Sequence, residues 1–209
     1  MKLEFDLYFI TDRKLSLRGD VDDVAAALAG GVRVIQYREK ELPTREVLET
    51  AWRIRKLTKK AGALFIINDR VYLAAAVSAD GVHLGQDDVP IHFARKILGR
   101  RAVIGVTVHN VGEAVAAEKA GADYLGVSPI FSTATKPDAG KPGGLALMRE
   151  VKSKVKIPCI GIGGINEDNM LDVINAGADG IAMISAIITK DDVEGTVKRI
   201  RDKILSSRK

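Results

Sequence analysis

A single cysteine, Cys159, occurs in this chain of 209 residues, which excludes an internal disulfide. Its place in an apolar run marks it as an inert buried thiol and points to a cytoplasmic protein. Histidine is equally scarce. His83, His92 and His109 are scattered along the chain, and nothing gathers them into a metal site. Aromatic residues make up 5%, and none alternates with basic residues as a nucleic-acid stacking platform requires. The formal net charge of +5 comes largely from Lys198, Arg199, Arg201, Lys203, Arg208 and Lys209, which read as a solvated helix face and basic tail. No nucleic-acid partner is therefore expected. No run approaches the roughly 18 apolar residues of a membrane span. Lys2, Glu4 and Asp6 interrupt the N-terminus, so neither a signal peptide nor a membrane partner is expected. There is no Pro- or Ser-rich linker, and hydrophobic residues reach 46%, as in one compact domain over 1–209. Two glutamines against 28% charged residues lean toward heat tolerance.

What the chain does have is alternation. Strand-like runs occur at Leu7–Ile10, Val32–Tyr37, Leu64–Ile67, Gly81–Leu84, Val103–Val106, Tyr124–Val127, Cys159–Ile162 and Gly180–Ile184. Between them lie stripes at helical spacing, such as Val24-Ala27-Leu28, Val47-Ala51-Ile54, Leu147-Val151-Val155 and Val193-Val197-Ile200-Ile204. Short strands alternating with helices imply parallel βαβ units, and eight of them imply a single-domain (β/α)8 TIM barrel. An internal repeat supports the count. Ala29-Gly30-Gly31-Val32, Ala79-Asp80-Gly81, Ala122-Asp123-Tyr124 and Ala178-Asp179-Gly180 each read as a helix end, a short turn and a strand start. An open doubly wound sheet is the structural alternative.

In such a barrel the chemistry sits where strands end. The seventh and eighth strands run into Gly161-Ile162-Gly163-Gly164-Ile165 and Met183-Ile184-Ser185. That pair of bare-backbone turns suits one phosphate, because glycine lets the anion approach the main chain and its N–H groups. The second strand runs into Gln36-Tyr37-Arg38-Glu39-Lys40. Alternation puts Gln36, Arg38 and Lys40 on the face of Val32 and Val34, looking inward. Two cations there need an anionic ligand or a carboxylate such as Glu39. The third and fourth strands deliver Asn68-Asp69 and Gln86-Asp87-Asp88 to adjacent corners. Asp69 with Asp88 (or Asp87) suits Mg²⁺ bridging to a phosphate or diphosphate. Each aspartate also reads as an N-cap, on helices starting near Val71 and after Pro90. Thr107 offers a hydroxyl at the fifth strand end, and His109 is either an acid–base group or a structural helix-start residue. The loop from Pro129 to Gly144 carries Thr133, Thr135, Lys136 and three glycines, and reads as a lid over an anion or as merely mobile. No activated Ser–His or Cys–His pair stands at a strand end. The set favours transfer or elimination driven by charge stabilisation over covalent catalysis.

These stretches resemble the thiamine phosphate synthase family. The matching segments are Tyr8–Asp12, Gly31–Lys40, Ile67–Arg70, Gly81–Asp88, Ile104–His109, Gly121–Lys136, Gly161–Ile165 and Met183–Ile187, in order along nearly the whole chain. The resemblance implies a transferase joining an aminopyrimidine methyl diphosphate to a thiazole phosphate, with pyrophosphate released. It implies that Gln36, Arg38, Lys40 and Asn68 hold the pyrimidine diphosphate, aided by Thr107 and Lys136, and that Asp69 and Asp88 bind Mg²⁺. Thr133, Thr135, Gly164, Ile184 and Ser185 would cradle the thiazole phosphate. Arg38, Lys40, Thr107 and Lys136 are the expected catalytic groups, acting on the leaving charge. Two positions depart from the family pattern, Thr107 for serine and Ser128 for glycine. A thiazole tautomerase of the same barrel family, using His109, is one alternative. A non-catalytic phosphate-ligand sensor is another.

Overall fold

The fold was obtained as a computed structural model that describes residues 5–133, 135 and 140–208. Strands β1 (Leu7–Ile10), β2 (Val34–Tyr37), β3 (Leu64–Asn68), β4 (Gly81–Leu84), β5 (Val103–Val108), β6 (Tyr124–Val127), β7 (Cys159–Gly161) and β8 (Gly180–Met183) pair in sequence order into a closed barrel. All pairs are parallel, and β8 returns to β1 through Leu7 opposite Ile181. Helices α1 (Asp20–Ala29), α2 (Thr44–Ala61), α3 (Val71–Ala76), α4 (Ile91–Leu98), α5 (Val111–Lys119), α6 (Gly144–Lys154) and α7 (Met170–Asn175) fill the crossovers. Two more, α8 (Ser185–Ile188) and α9 (Val193–Ser207), follow β8. This is the expected (β/α)8 barrel.

Strand alternation divides the core into two shells. Leu7, Phe9, Ile35, Phe65 and Ile67 point outward and pack under helix stripes such as Val47, Ala51 and Ile54 of α2. Tyr8, Ile10, Val34, Ile66, Tyr124, Ile160 and Ala182 point inward and fill the barrel. Gln36 follows Val34 inward, as expected, and is buried. Val32 does not. It precedes β2 and joins the outer shell, because alternation binds only residues within the strand.

The sequence repeat has a physical meaning at the N-terminal rim. Asp80 accepts the Phe65 N–H at 2.8 Å and pairs with Arg55 of α2 at 2.8 and 3.2 Å. Asp123 accepts the Ile104 N–H at 2.8 Å and pairs with Arg95 of α4 at 2.7 Å. Asp179 accepts the Cys159 N–H at 2.7 Å and pairs with Lys152 of α6 at 2.6 Å. Each aspartate thus ties the start of the preceding strand to the helix leading out of an earlier one. Asp6 holds Arg201 of α9 in a similar way, at 2.8 and 3.1 Å. Charge-assisted bonds on this rim serve stability, which leaves the opposite rim to function. Among the described residues, no helix is long and apolar enough to cross a membrane.

Candidate active site

One cavity opens at the C-terminal ends of the strands. Its walls include Gln36, Arg38, Lys40, Asn68, Asp69, Thr107, Thr133, Thr135, Gly164, Ile184 and Ser185. All but two of the expected site residues therefore share one space. Asp88 stands just outside the wall, and Lys136 lies outside the described residues.

The two cations that follow β2 are already paired. Arg38 reaches Asp12 at 3.1 Å, and its backbone N–H donates to the Thr11 hydroxyl at 3.0 Å. Lys40 stands 3.6 Å from Asp69. Glu39, the expected structural partner, binds Arg13 at 3.4 Å instead. Asp12 is a site-supporting residue that strand-end reading missed, since it lies two residues beyond β1 and meets Arg38 only through the pairing of β1 with β2.

Neither aspartate caps a helix. The Asp88 carboxylate accepts the Gly85 N–H at 2.6 Å, which folds the β4 loop back on itself, and α4 instead begins behind Pro90. Asp69 has φ 59°, and the Arg70 N–H donates to the Asn68 carbonyl across it at 2.6 Å. A three-residue turn centred on a non-glycine residue with positive φ stores about 1–3 kcal/mol of strain. That turn carries the Asp69 carboxyl to Asp88. Burial first, and then the neighbouring Asp88 carboxyl, hold Asp69 above the usual carboxylate range, against the pull of Lys40. Two carboxyls this close resist ionising together. Among the described residues, no group of three or more His, Cys, Asp or Glu gathers around a metal-sized space.

The opposite wall is main chain. Gly163 and Gly164 have φ 101° and 64°, which L side chains rarely adopt. A Cβ on Gly164 would press on the Ser132 carbonyl and approach the Phe131 Cβ to 2.8 Å. The bareness of this turn therefore first serves to seat the β6–α6 loop. The Ile130 and Phe131 N–H groups donate to the Ile162 and Gly163 carbonyls, both at 2.9 Å. Ser185 begins α8 beside it, with Ile184 at the helix boundary. Ser128, where a glycine was expected, is buried in the cavity wall.

His109 does not line the cavity. Its backbone N–H and Nδ1 both meet the Glu113 carboxylate, at 2.8 and 3.0 Å, in the start of α5. The structural reading of this residue holds. His83, read only as a strand residue, is the histidine that faces the cavity. Its Nε2 lies 2.8 Å from the Thr107 Oγ1, a hydroxyl–imidazole pair that the strand ends alone did not reveal.

Fold and mouth together define the class: a (β/α)8-barrel enzyme with its polar groups gathered at the C-terminal rim. The sequence model of the thiamine monophosphate synthase family matches residues 7–187. The thiamine-phosphate synthase of Moorella thermoacetica is 50% identical over 206 residues, covering 98% of both chains. That of Chloroflexus aurantiacus is 49% identical over 200 residues, covering 95% of this chain and 92% of its own. A solved thiamine phosphate pyrophosphorylase from Pyrococcus furiosus superposes with a TM-score of 0.91 at 44% identity, over 98% of this chain and 97% of its own. The chain belongs to the thiamine monophosphate synthase family and is a transferase.

Proposed function

We propose that the chain is a thiamine phosphate synthase, joining an aminopyrimidine methyl diphosphate to a thiazole phosphate and releasing pyrophosphate. The observation that carries this reading is that Arg38, Lys40, Asn68 and Asp69 share one cavity with the Gly163-Gly164 turn and Ser185. A substrate with two anionic groups on separate rings fits that division. The diphosphate would lie against Gln36, Arg38, Lys40, Asn68 and Thr107. Lys136 is assigned to it from sequence alone. The thiazole phosphate would lie against Thr133, Thr135, Gly164, Ile184 and Ser185.

The chemistry needs no protein nucleophile. The C–O bond to diphosphate breaks and its electron pair leaves with the diphosphate. The pyrimidine amino group feeds electron density into the exocyclic methylene, and the thiazole nitrogen supplies the pair for the new C–N bond. Arg38 and Lys40 are held at the mouth by Asp12 and Asp69 before any ligand arrives. They meet the charge as it develops, an effect worth about 2.7–4 kcal/mol for one preorganised donor. Asp69 and Asp88 would hold Mg²⁺, which takes one or two carboxylates together with phosphate oxygens and water. The raised carboxyl of Asp69 beside Asp88 is the feature that fits a cation there. Bound Mg²⁺ supplies further neutralisation of the leaving group.

The test is incubation of the purified chain with both substrates and Mg²⁺, followed by detection of thiamine phosphate. Product is expected, and chelation should abolish it. No product from folded protein refutes the function, and full turnover after exhaustive chelation refutes the metal role.

A further inference from the structure

A line of hydrogen bonds crosses the inside of the barrel. The Gln36 Nε2 donates to the Tyr8 hydroxyl at 2.8 Å. The Tyr8 and Tyr124 hydroxyls meet at 2.8 Å, and the Tyr124 hydroxyl meets the His83 Nδ1 at 2.9 Å. The His83 Nε2 meets the Thr107 Oγ1 at 2.8 Å. The line thus joins β2, β1, β6, β4 and β5, and every member also lines the cavity.

The strands are built to admit it. A Cβ at Gly105 would collide with the Tyr124 ring, and one at Gly126 would stand 3.1 Å from the His83 ring. Glycine inside a strand weakens it and marks a place where something must approach closely. Here two adjacent strands each use one to seat a polar ring. Tyr8 and Tyr124 are both buried, and burial is the leading reason that both phenols hold their protons far above the usual range.

The line has a direction, and the direction decides what Thr107 can do. A phenol or alcohol has one hydrogen to give. Gln36 faces Tyr8 with its amide nitrogen, which only donates. The buried Tyr8 hydrogen then has only Tyr124 as its acceptor among the described residues, and with that bond made Tyr124 gives its own hydrogen to the His83 Nδ1. That leaves the His83 proton on Nε2, donated to Thr107, whose own hydrogen is left to point into the cavity. In the reverse direction His83 would take the Thr107 hydrogen and make that oxygen a nucleophile or acceptor. We infer that Gln36, Tyr8 and Tyr124 lock His83 in its Nε2–H form, so that Thr107 is presented to the ligand as a hydrogen-bond donor. Tyr8, Tyr124 and His83 are positioning residues. The identity of the acceptor as the leaving diphosphate rests on the function proposed above.

Histidine nitrogen-15 NMR without substrates tests the direction, because a protonated ring nitrogen and a bare one resonate far apart. Three histidines make assignment simple, using His92→Gln and His109→Gln to remove the other two. The expected result is a protonated Nε2 and a bare Nδ1 on His83 in the wild type. Gln36→Met, which has no donor, and Tyr124→Phe should each turn this into a mixture of tautomers. A wild-type proton on Nδ1, or a tautomer indifferent to both variants in folded protein, overturns the inference. Single-turnover rates then test the link to Thr107. Thr107→Val and Tyr124→Phe should each slow product formation by about tenfold or more. If Tyr124 acts through Thr107, the double variant should be no slower than Thr107→Val alone. Additive losses overturn the link. A wild-type chain that forms no thiamine phosphate overturns the function and this link with it, while the nitrogen spectra still decide the tautomer.

Discussion

Replacing Asp20 by asparagine should make the protein more stable, and more so as the pH rises. Asp20 opens α1 behind the β1–β2 corner of the mouth. It is buried, and its Oδ1 has no hydrogen-bond partner among the described residues. Burial, and then the charges of Glu39, Asp23 and Asp12, push its carboxyl from 3.8 up to about 7, with Arg13 opposing them. The folded carboxyl therefore keeps its proton to higher pH than the unfolded one. Between about pH 4 and 7 the folded state binds more protons, so stability falls as the pH rises through that window. About three units at about 1.4 kcal/mol each make roughly 4 kcal/mol. The positive end of the α1 dipole favours the ionised form and returns about 0.3–1 kcal/mol, leaving roughly 3. An asparagine side chain cannot ionise, so the substitution removes the pH-dependent part whatever constant offset it adds. Urea unfolding of both proteins between about pH 4 and 8 measures the difference directly. The gap should widen by about 3 kcal/mol in favour of Asp20→Asn across the series. A gap that is flat with pH refutes the argument, because it would mean that Asp20 ionises alike in both states.

Four further substitutions separate the rims and the subsites, and a labelling experiment probes the core. Asp80→Ala should lower stability by about 2–3 kcal/mol in urea, through loss of the Arg55 pair and the Phe65 N–H bond, with pyrophosphate affinity unchanged. Asp88→Asn should abolish the thermal shift produced by Mg²⁺ at about pH 8 while not lowering the metal-free melting temperature, since it removes a charge facing Asp69; an undiminished shift speaks against the metal site. In calorimetric titrations, Gly164→Val should weaken thiazole phosphate more than the pyrimidine diphosphate, by unseating Phe131 and Ser132, and Arg38→Ala should do the reverse; an exchange of these effects reverses the two subsites. Cys159, its thiol pushed up to about 11 chiefly by burial, should resist alkylation at about pH 8 until urea is added, so rapid labelling of native protein counts against its burial.

Much of the barrel was legible because its signals are local. Short apolar or alternating runs located every strand to within about two residues, and the overreach at Val32 has a local cause, since the strand had not yet begun. The Ala-Asp turns were legible as a repeat, but their purpose was not. The aspartate at 80 meets an arginine 25 residues earlier and a strand N–H 15 residues earlier, and only the packing of α2 against the paired strands β3 and β4 brings the three together. The same limit hid Asp12 behind Arg38, across 26 residues.

The interior line was missed for a different reason. Tyr8 and Tyr124 sit in apolar runs, where a tyrosine passes for core, and their hydroxyls meet across 116 residues of chain. A signal was nevertheless present in Gly105 and Gly126, two glycines inside strands with no turn to make. At the N-terminal rim the aspartates recur at every second unit, before β4, β6 and β8, because each time the same joint is held. At the C-terminal rim the strand ends differ: Arg38 and Lys40 follow β2, aspartates follow β3 and β4, Thr107 lies near the end of β5 and bare glycines follow β7. Sameness marks what the barrel needs in order to close, and difference marks where a ligand is met. In this chain the interior glycines belong with the differences, since each makes room for a ring that carries a hydrogen bond toward the cavity.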